Sequence, residues 1–427
     1  MAYLTRRQFM GAATVAGSVG GVAWLQPTPS GAPHEPYFAT LNHALHQAGI
    51  GTPTMVLDLV RMRHNADQVK QHVQGRIQLR LVNKSLPCLN LLHELSLLTG
   101  TQRQMVFSLP YLHLITQHKP QSDVLLGKPL PVAAAAHYYA SRSVSGFEPA
   151  KQLQWLVDTP ERLKQYSDLA RAQQQTMRIN IEIDVGLHRG GVPDLAAMQT
   201  MVQMIMAEPL LQWAGLMGYD AHTEKIPELI GLRQEARLHA AQTYKRFADY
   251  MQQSPLKGSP AGPTLNTGGS PSFRLHDGMG AANEVAVGSA MVKPTDFDTP
   301  LLSDFLPAAF IATPVLKTGP FVAPDGVEFF SRMASAWDAN QRHSVFIYGG
   351  QWMAQPVSPE GLSASALIGK SSNQQILLGS GKQGLRPDDF VFLRPTQSEA
   401  VLQQFGDIAV YEHGRITDMW PVFPAQA

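Results

Sequence analysis

From about Gly51 to Thr299, short apolar runs alternate with stretches whose apolar positions recur at helical spacing. The runs Thr54 to Leu59, Gln78 to Asn83, Gln104 to Leu109, the Leu125 to Ala134 region, Gln154 to Asp158, Arg178 to Val185, Gln212 to Met217 and Thr264 to Asn266 read as strands. Helical patterns lie between them, notably Arg61 to Gln74, Leu89 to Leu98, Asp194 to Met206 and Glu228 to Gln253. About eight such units in roughly 250 residues predict an α/β fold of the (β/α)8 barrel type rather than an open sheet. No Gly-x-Gly-x-x-Gly follows the first strand, so a dinucleotide-binding sheet has little support.

After Pro300 the pattern changes. Short β-rich runs (Ala308 to Leu316, Ser344 to Tyr348, Gln375 to Leu378, Asp389 to Leu393, Ile408 to Tyr411) are separated by Gly, Pro and Asp turns such as Gly349-Gly350 and Asp388-Asp389. A small all-β domain is predicted over 303–427, following a barrel over 33–302. The remaining segment, 1–32, carries Thr5-Arg6-Arg7-Gln8-Phe9-Met10, then an apolar, glycine-broken stretch from Gly11 to Leu25, then Pro27, Pro29 and Pro33. This is the pattern of a twin-arginine export signal, too short and too weak to anchor stably in a bilayer. It predicts a periplasmic protein that folds before export.

Composition narrows the partner. A chain of 427 residues can bury a large core and divide into two domains. Charged residues make up 16% of it and the formal net charge is +1, which removes any basis for a nucleic-acid partner and leaves a small molecule. Without the export segment, 32 basic residues face 33 acidic ones. The single cysteine, Cys88, excludes an internal disulfide and lies in an apolar stretch, as a core residue would.

The candidate chemistry begins at Lys84, which closes the run Ile77-Gln78-Leu79-Arg80-Leu81-Val82-Asn83-Lys84. An amine at the C-terminal tip of an early barrel strand can hold an aldehyde cofactor covalently, provided that a phosphate cradle and a ring partner come from other strand ends. Leu265-Asn266-Thr267-Gly268-Gly269-Ser270-Pro271 offers bare backbone and two hydroxyls to an anion, and Val287-Gly288-Ser289 offers a second such turn.

In this order the motifs resemble the alanine-racemase-like barrel enzymes, in particular the branch containing D-threonine aldolase and eukaryotic-type D-serine dehydratase. The resemblance runs from Thr52 to Pro421. It includes Thr52-Pro53-Thr54-Met55-Val56-Leu57-Asp58, Arg80-Leu81-Val82-Asn83-Lys84-Ser85 and Glu182-Ile183-Asp184-Val185-Gly186-Leu187-His188-Arg189-Gly190-Gly191-Val192. It continues through Gly215-Leu216-Met217-Gly218-Tyr219-Asp220-Ala221-His222, Asn266-Thr267-Gly268-Gly269-Ser270 and Glu284-Val285-Ala286-Val287-Gly288-Ser289. The resemblance implies pyridoxal 5′-phosphate held on Lys84 as a Schiff base, with Lys84 returning as an acid or base. It places Arg189 at the phenolic oxygen, Tyr219 over the ring, and Thr267, Gly268, Gly269, Gly288 and Ser289 at the phosphate. Arg80 is the expected neighbouring positive charge of Lys84. His188 and His222 are candidate proton-transfer groups, and Asp184 is expected to hold the turn around Gly186. Ala286 stands where alanine racemases place an arginine against the pyridine nitrogen.

One motif departs from the branch. Its Pro-x-His-x-Cys or Pro-x-His-x-Asp, whose last two named residues bind a metal, is here Pro395-Thr396-Gln397-Ser398-Glu399, although the following Val410-Tyr411-Glu412-His413-Gly414-Arg415-Ile416 still matches. Gln397 and Glu399 would suit a hard divalent ion or no metal at all. The implied activity is a lyase acting on D-amino acids, most of all β-hydroxy ones, by retro-aldol cleavage or β-elimination. Two alternatives stay open: a racemase, with Tyr348 or Tyr411 as second base, and a non-catalytic exported protein that binds the cofactor or an amino acid. A homodimer is implied by the resemblance.

Overall fold

The computed structural model describes residues 26–141, 146–228, 230–256, 262–365 and 367–424; the twin-arginine pattern at Thr5 to Met10 lies outside them. Contacts divide the chain into two compact units, each discontinuous in sequence. One contains residues 55–309, 395–413 and 417–424; the other contains 26–54, 310–394 and 414–416. The segments expected at 33–302 and 303–427 therefore differ from the compact units, because 26–54 belongs with 310–394 and because 395–413 and 417–424 return to the unit begun at residue 55.

The first unit is the expected (β/α)8 barrel. Eight parallel strands close it: β2 (Gln78–Val82), β3 (Arg103–Val106), β4 (Asp123–Leu126), β5 (Leu153–Val157), β6 (Met177–Glu182), β7 (Leu211–Gly218), β8 (Thr264–Thr267) and β9 (Glu284–Val287), with β2 paired to both β3 and β9. The preceding strand, β1 (Thr54–Asp58), is not among them. It pairs in parallel with β16 (Ile408–Glu412), placing Val56 beside Ala409, and Glu284–Val287 takes the eighth barrel position. All five β1 residues are buried, and a strand covered on both faces has the same apolar signature whichever neighbour it joins.

Alternation along β2 sets Leu79 and Leu81 opposite Arg80 and Val82. Arg80 has no exposed surface and is held by charge on two sides. Its Nε donates to Glu284 Oε1 at 2.6 Å and its Nη2 to Glu284 Oε2 at 2.9 Å and Asp123 Oδ1 at 2.6 Å. Asn266 and Arg103 also donate to Glu284, so this buried carboxylate is fully engaged. Helices begin with caps legible in the sequence: Asp58, Thr159 and Asp194 each accept a backbone N–H three residues on. Cys88 is buried just before the helix Leu89–Thr99, and burial pushes its thiol pKa up.

The second unit is an antiparallel sheet with a helix. The long β10 (Ala309–Pro320) pairs with β11 (His343–Tyr348) and β15 (Phe390–Pro395), and β14 (Gln374–Gly379) joins β11. Phe38, on the helix Pro36–Gln47, packs its ring on those of Phe310 and Phe392 at centroid distances of 5.2 and 4.9 Å.

Candidate active site

The C-terminal ends of the barrel strands open into a cleft with about 600 Å³ of empty volume, open solvent at its mouth included. Barrel active sites lie at this end because the βα loops can vary there without disturbing the strands. Lys84 reaches the cleft from the single-turn segment Asn83–Ser85 directly after β2. Its Nζ lies 4.7 Å from the ring centroid of Phe107, just beyond β3, and 3.7 Å from Glu399 Oε1. Phe107 in turn covers Gly127 after β4, where an added Cβ would stand 2.2 Å from the ring.

The opposite wall comes from the loops after β6 and β7. The Arg189 guanidinium lies 5.0 Å from the ring centroid of Tyr219, and the Tyr219 ring rests on Gly269, where a Cβ would come within 2.5 Å. Burial pushes the Tyr219 hydroxyl up to about 12, so it stays protonated near neutrality. Glu182, at the end of β6, is pushed up to about 7 by burial, against the opposing pull of Arg189.

The glycine turns form a cradle. A Cβ at Gly288 would meet the Cβ atoms of Val82 and Ser85 at 2.8 and 3.0 Å and the Val82 carbonyl oxygen at 3.0 Å, so there is no room for a side chain. The Ser270 Oγ accepts hydrogen bonds from the N–H groups of Gly288 and Ala290, at 3.1 and 3.0 Å, and the Ser272 Oγ accepts from Gly269 N–H at 3.2 Å. The glycine turns thus gather backbone N–H donors and serine hydroxyls at one place, and a phosphate fits that donor set. The loop is braced from behind by Asp220, a buried carboxylate that accepts from Ser272 Oγ at 2.5 Å and pairs with His276 Nε2 at 2.7 Å. Burial alone would raise the Asp220 pKa; the His276 and Ser272 contacts bring it below the usual carboxylate value.

Lys84, Arg189, Tyr219, Gly268, Gly269, Gly288 and Ser289 are thus brought together around one cleft, with Ala286 in its wall. Four residues expected to bind the cofactor or move protons are not. Arg80 is sealed against Glu284 and Asp123, so its charge is already neutralised. The Thr267 hydroxyl donates to the carbonyl of Gly218 at 3.0 Å and does not line the cleft. His188 points its Nδ1 to Asp184 Oδ2 at 2.6 Å and is 80% exposed, while Asp184 Oδ1 accepts the N–H groups of Gly186 and His188. His222 borders a separate shallow recess with His188, Gly186 and His239, and burial holds its imidazole below the ordinary value. Tyr411 is buried on β16 and is also absent from the cleft lining.

The two residues at the altered motif part company. Gln397 donates its amide to Asp296 Oδ2 at 3.0 Å. Glu399 turns into the cleft, where its Oε2 accepts from the hydroxyls of Ser85, Ser289 and Ser398 at 3.4, 3.3 and 3.2 Å. Among the described residues no group of three or more His, Cys, Asp or Glu side chains is arranged to hold a metal ion. Sequence reading missed Phe107 in the cleft lining, and Glu182 and Asp220 as carboxylates that support Arg189 and the glycine loop from behind. Ser270, Glu182 and Asp220 lie inside quoted motifs, but only spatial neighbours give them their roles.

Comparison with known proteins identifies the family. The family described as the alanine racemase N-terminal domain matches residues 57–296, more than half of the chain, and the chain belongs to that family. The family implies pyridoxal 5′-phosphate as the cofactor. Among solved structures, D-threonine aldolase from Filomicrobium marinum is similar at 19% identity and a TM-score of 0.70, covering 88% of this chain and 95% of that one. D-threo-3-hydroxyaspartate dehydratase from Delftia sp. HT23 has 14% identity and a TM-score of 0.70, with 88% and 98% covered. Alanine racemase from Clostridium difficile 630 has 13% identity and a TM-score of 0.66, with 87% and 98% covered. At these identities the likeness is one of fold. No curated protein matches the sequence.

Proposed function

We propose that the protein is a pyridoxal-phosphate-dependent lyase acting on D-amino acids, with a preference for those bearing a β-hydroxyl group. The observation that supports it most is the convergence of Lys84 and the Gly268-Gly269 and Gly288 turns on one barrel mouth. Lys84 would hold the cofactor aldehyde, the N–H groups of Gly269, Gly288 and Ala290 its phosphate, and the Tyr219 ring its face. Bound there, the cofactor supplies an electron sink for a bond broken at the substrate Cα.

The remaining work falls to the chain. Once free of the aldehyde, the Lys84 amine can take or return a proton on its side of the cleft. Arg189, stacked on Tyr219, keeps a fixed positive charge facing that space. The Tyr219 hydroxyl, held protonated near neutrality, can donate a hydrogen bond but does not serve as a base. Retro-aldol cleavage and β-elimination both use this equipment. Ala286 brings no charge to the cleft wall, which favours lyase chemistry over the racemase arrangement. The proposal includes export by the twin-arginine route to the periplasm and a homodimeric state, both resting on sequence resemblance.

The test is the visible absorption spectrum of the purified protein reconstituted with pyridoxal phosphate. The expected result is a band that is absent in Lys84→Ala and shifts with D-β-hydroxy amino acids but not their L-enantiomers, with product analysis separating aldehyde release from deamination. Absence of the band after reconstitution would overturn the reading.

A further inference from the structure

We propose that Glu399 sets the substrate class: its carboxylate favours D-amino acids whose side chain ends in a neutral or cationic hydrogen-bond donor over those carrying a second carboxylate. This deepens the lyase reading and rests on it.

Among the described residues lining the cleft, Glu399 is the one acid, and Lys84 and Arg189 are the cations. Its hydroxyl partners, Ser85, Ser289 and Ser398, all bond Oε2. Ser398 is fully buried and Ser85 and Ser289 nearly so, so this end of the carboxylate is fixed. Oε1 is left directed at Lys84 Nζ, 3.7 Å away, in the part of the cleft where a substrate meets the amine. A Lys84 amine that has given up its proton offers Glu399 no full ammonium charge. A positioned acceptor oxygen then faces the substrate side chain. It can receive a hydrogen bond from a hydroxyl or ammonium group, and it repels a carboxylate through a space only partly screened by water. The side chains of Lys84 and Glu399 are 42% and 32% exposed, so the discrimination is moderate rather than absolute.

The test measures binding apart from turnover. D-Alanine and D-aspartate lack a β-hydroxyl and differ in one carboxylate; each is titrated into the cofactor-loaded protein while the visible band is followed. The wild type is expected to bind D-alanine roughly tenfold or more tightly than D-aspartate, the order that one like-charge contact in a partly solvated cleft produces. Glu399→Gln, which keeps the shape and can still meet the serines, is expected to lose most of that ratio, and Glu399→Asp to retain it. The same ordering should appear in KM for D-threonine against D-threo-3-hydroxyaspartate. A normal band with an unchanged ratio in Glu399→Gln overturns the role of Glu399 and leaves the lyase reading standing. A wild type that forms no Lys84-dependent band overturns both.

Discussion

Two ion pairs, one on either side of the same strand end, show how this barrel divides its labour. At Arg80 the charge is sealed: the guanidinium has no exposed surface, meets Glu284 and Asp123 at 2.6 to 2.9 Å, and is held protonated well above its ordinary value by the acids that offset its burial. At Lys84, four residues on, the amine is part-exposed and meets Glu399 only at 3.7 Å. A buried charge is stable only while every partner is kept, and so it cannot take part in chemistry. A loosely held charge contributes little to stability and can be reassigned to a ligand. One turn of chain beyond β2 separates a structural cation from a reactive one.

The comparison can be broken from either side. The largest effect is expected at the reactive end: Lys84→Ala should reduce turnover of a D-β-hydroxy substrate by at least on the order of 10³-fold with little change in unfolding free energy, as steady-state kinetics and urea denaturation would reveal. At the sealed end, Arg80→Ala leaves Glu284 buried with part of its neutralisation gone, and should cost about 3 to 5 kcal/mol of stability in the same denaturation experiment.

A smaller effect concerns Glu182, whose raised value contrasts with Asp220, an acid that hydrogen-bonded partners bring below the ordinary value. Its carboxyl is pushed from an ordinary 4.5 up to about 7, so the folded state binds its proton more tightly than the unfolded chain does. The stability this contributes is fully present below about pH 4.5 and is lost as pH rises to about 7. Between pH 5 and 7.5 the wild type should lose on the order of 2 kcal/mol that Glu182→Gln does not lose. Smallest of all, Glu399→Gln should change unfolding free energy by no more than about 1 kcal/mol, because its cationic partner is part-exposed and a glutamine oxygen can still accept from the serines.

Much of the barrel was legible in the sequence because its strands are short apolar runs punctuated by caps such as Asp58 and Asp194. The predicted helices at Leu89 to Leu98 and Asp194 to Met206 correspond to Leu89–Thr99 and Leu195–Ala207. What the pattern does not contain is the partner of a strand. Thr54–Asp58 and Glu284–Val287 are both buried four- or five-residue runs, and only the return of Ile408–Glu412 decides which one closes the barrel. The same limit applies in the cleft. Lys84 and the glycine turns stand out as strand-end motifs, whereas His188 and His222 suggested proton transfer by residue type alone and face away into a separate recess. Glu182 acquires its raised value from burial, and Asp220 its lowered one from His276 and Ser272, which lie far along the chain.

The pairing of β1 with β16 has a consequence for the timing of synthesis. The unit that holds the cleft takes residues from 55–309 and then from 395–413. When the ribosome has released the last barrel strand, Val56 and Leu57 still lack Ala409 and Val410, and the cleft still lacks Glu399. More than a hundred further residues must emerge before either gap can close. The nascent barrel can gather its strands early, but the complete cleft with its negative charge belongs only to a nearly finished polypeptide. A gene cut at the end of the barrel strands would therefore encode neither half of a working protein.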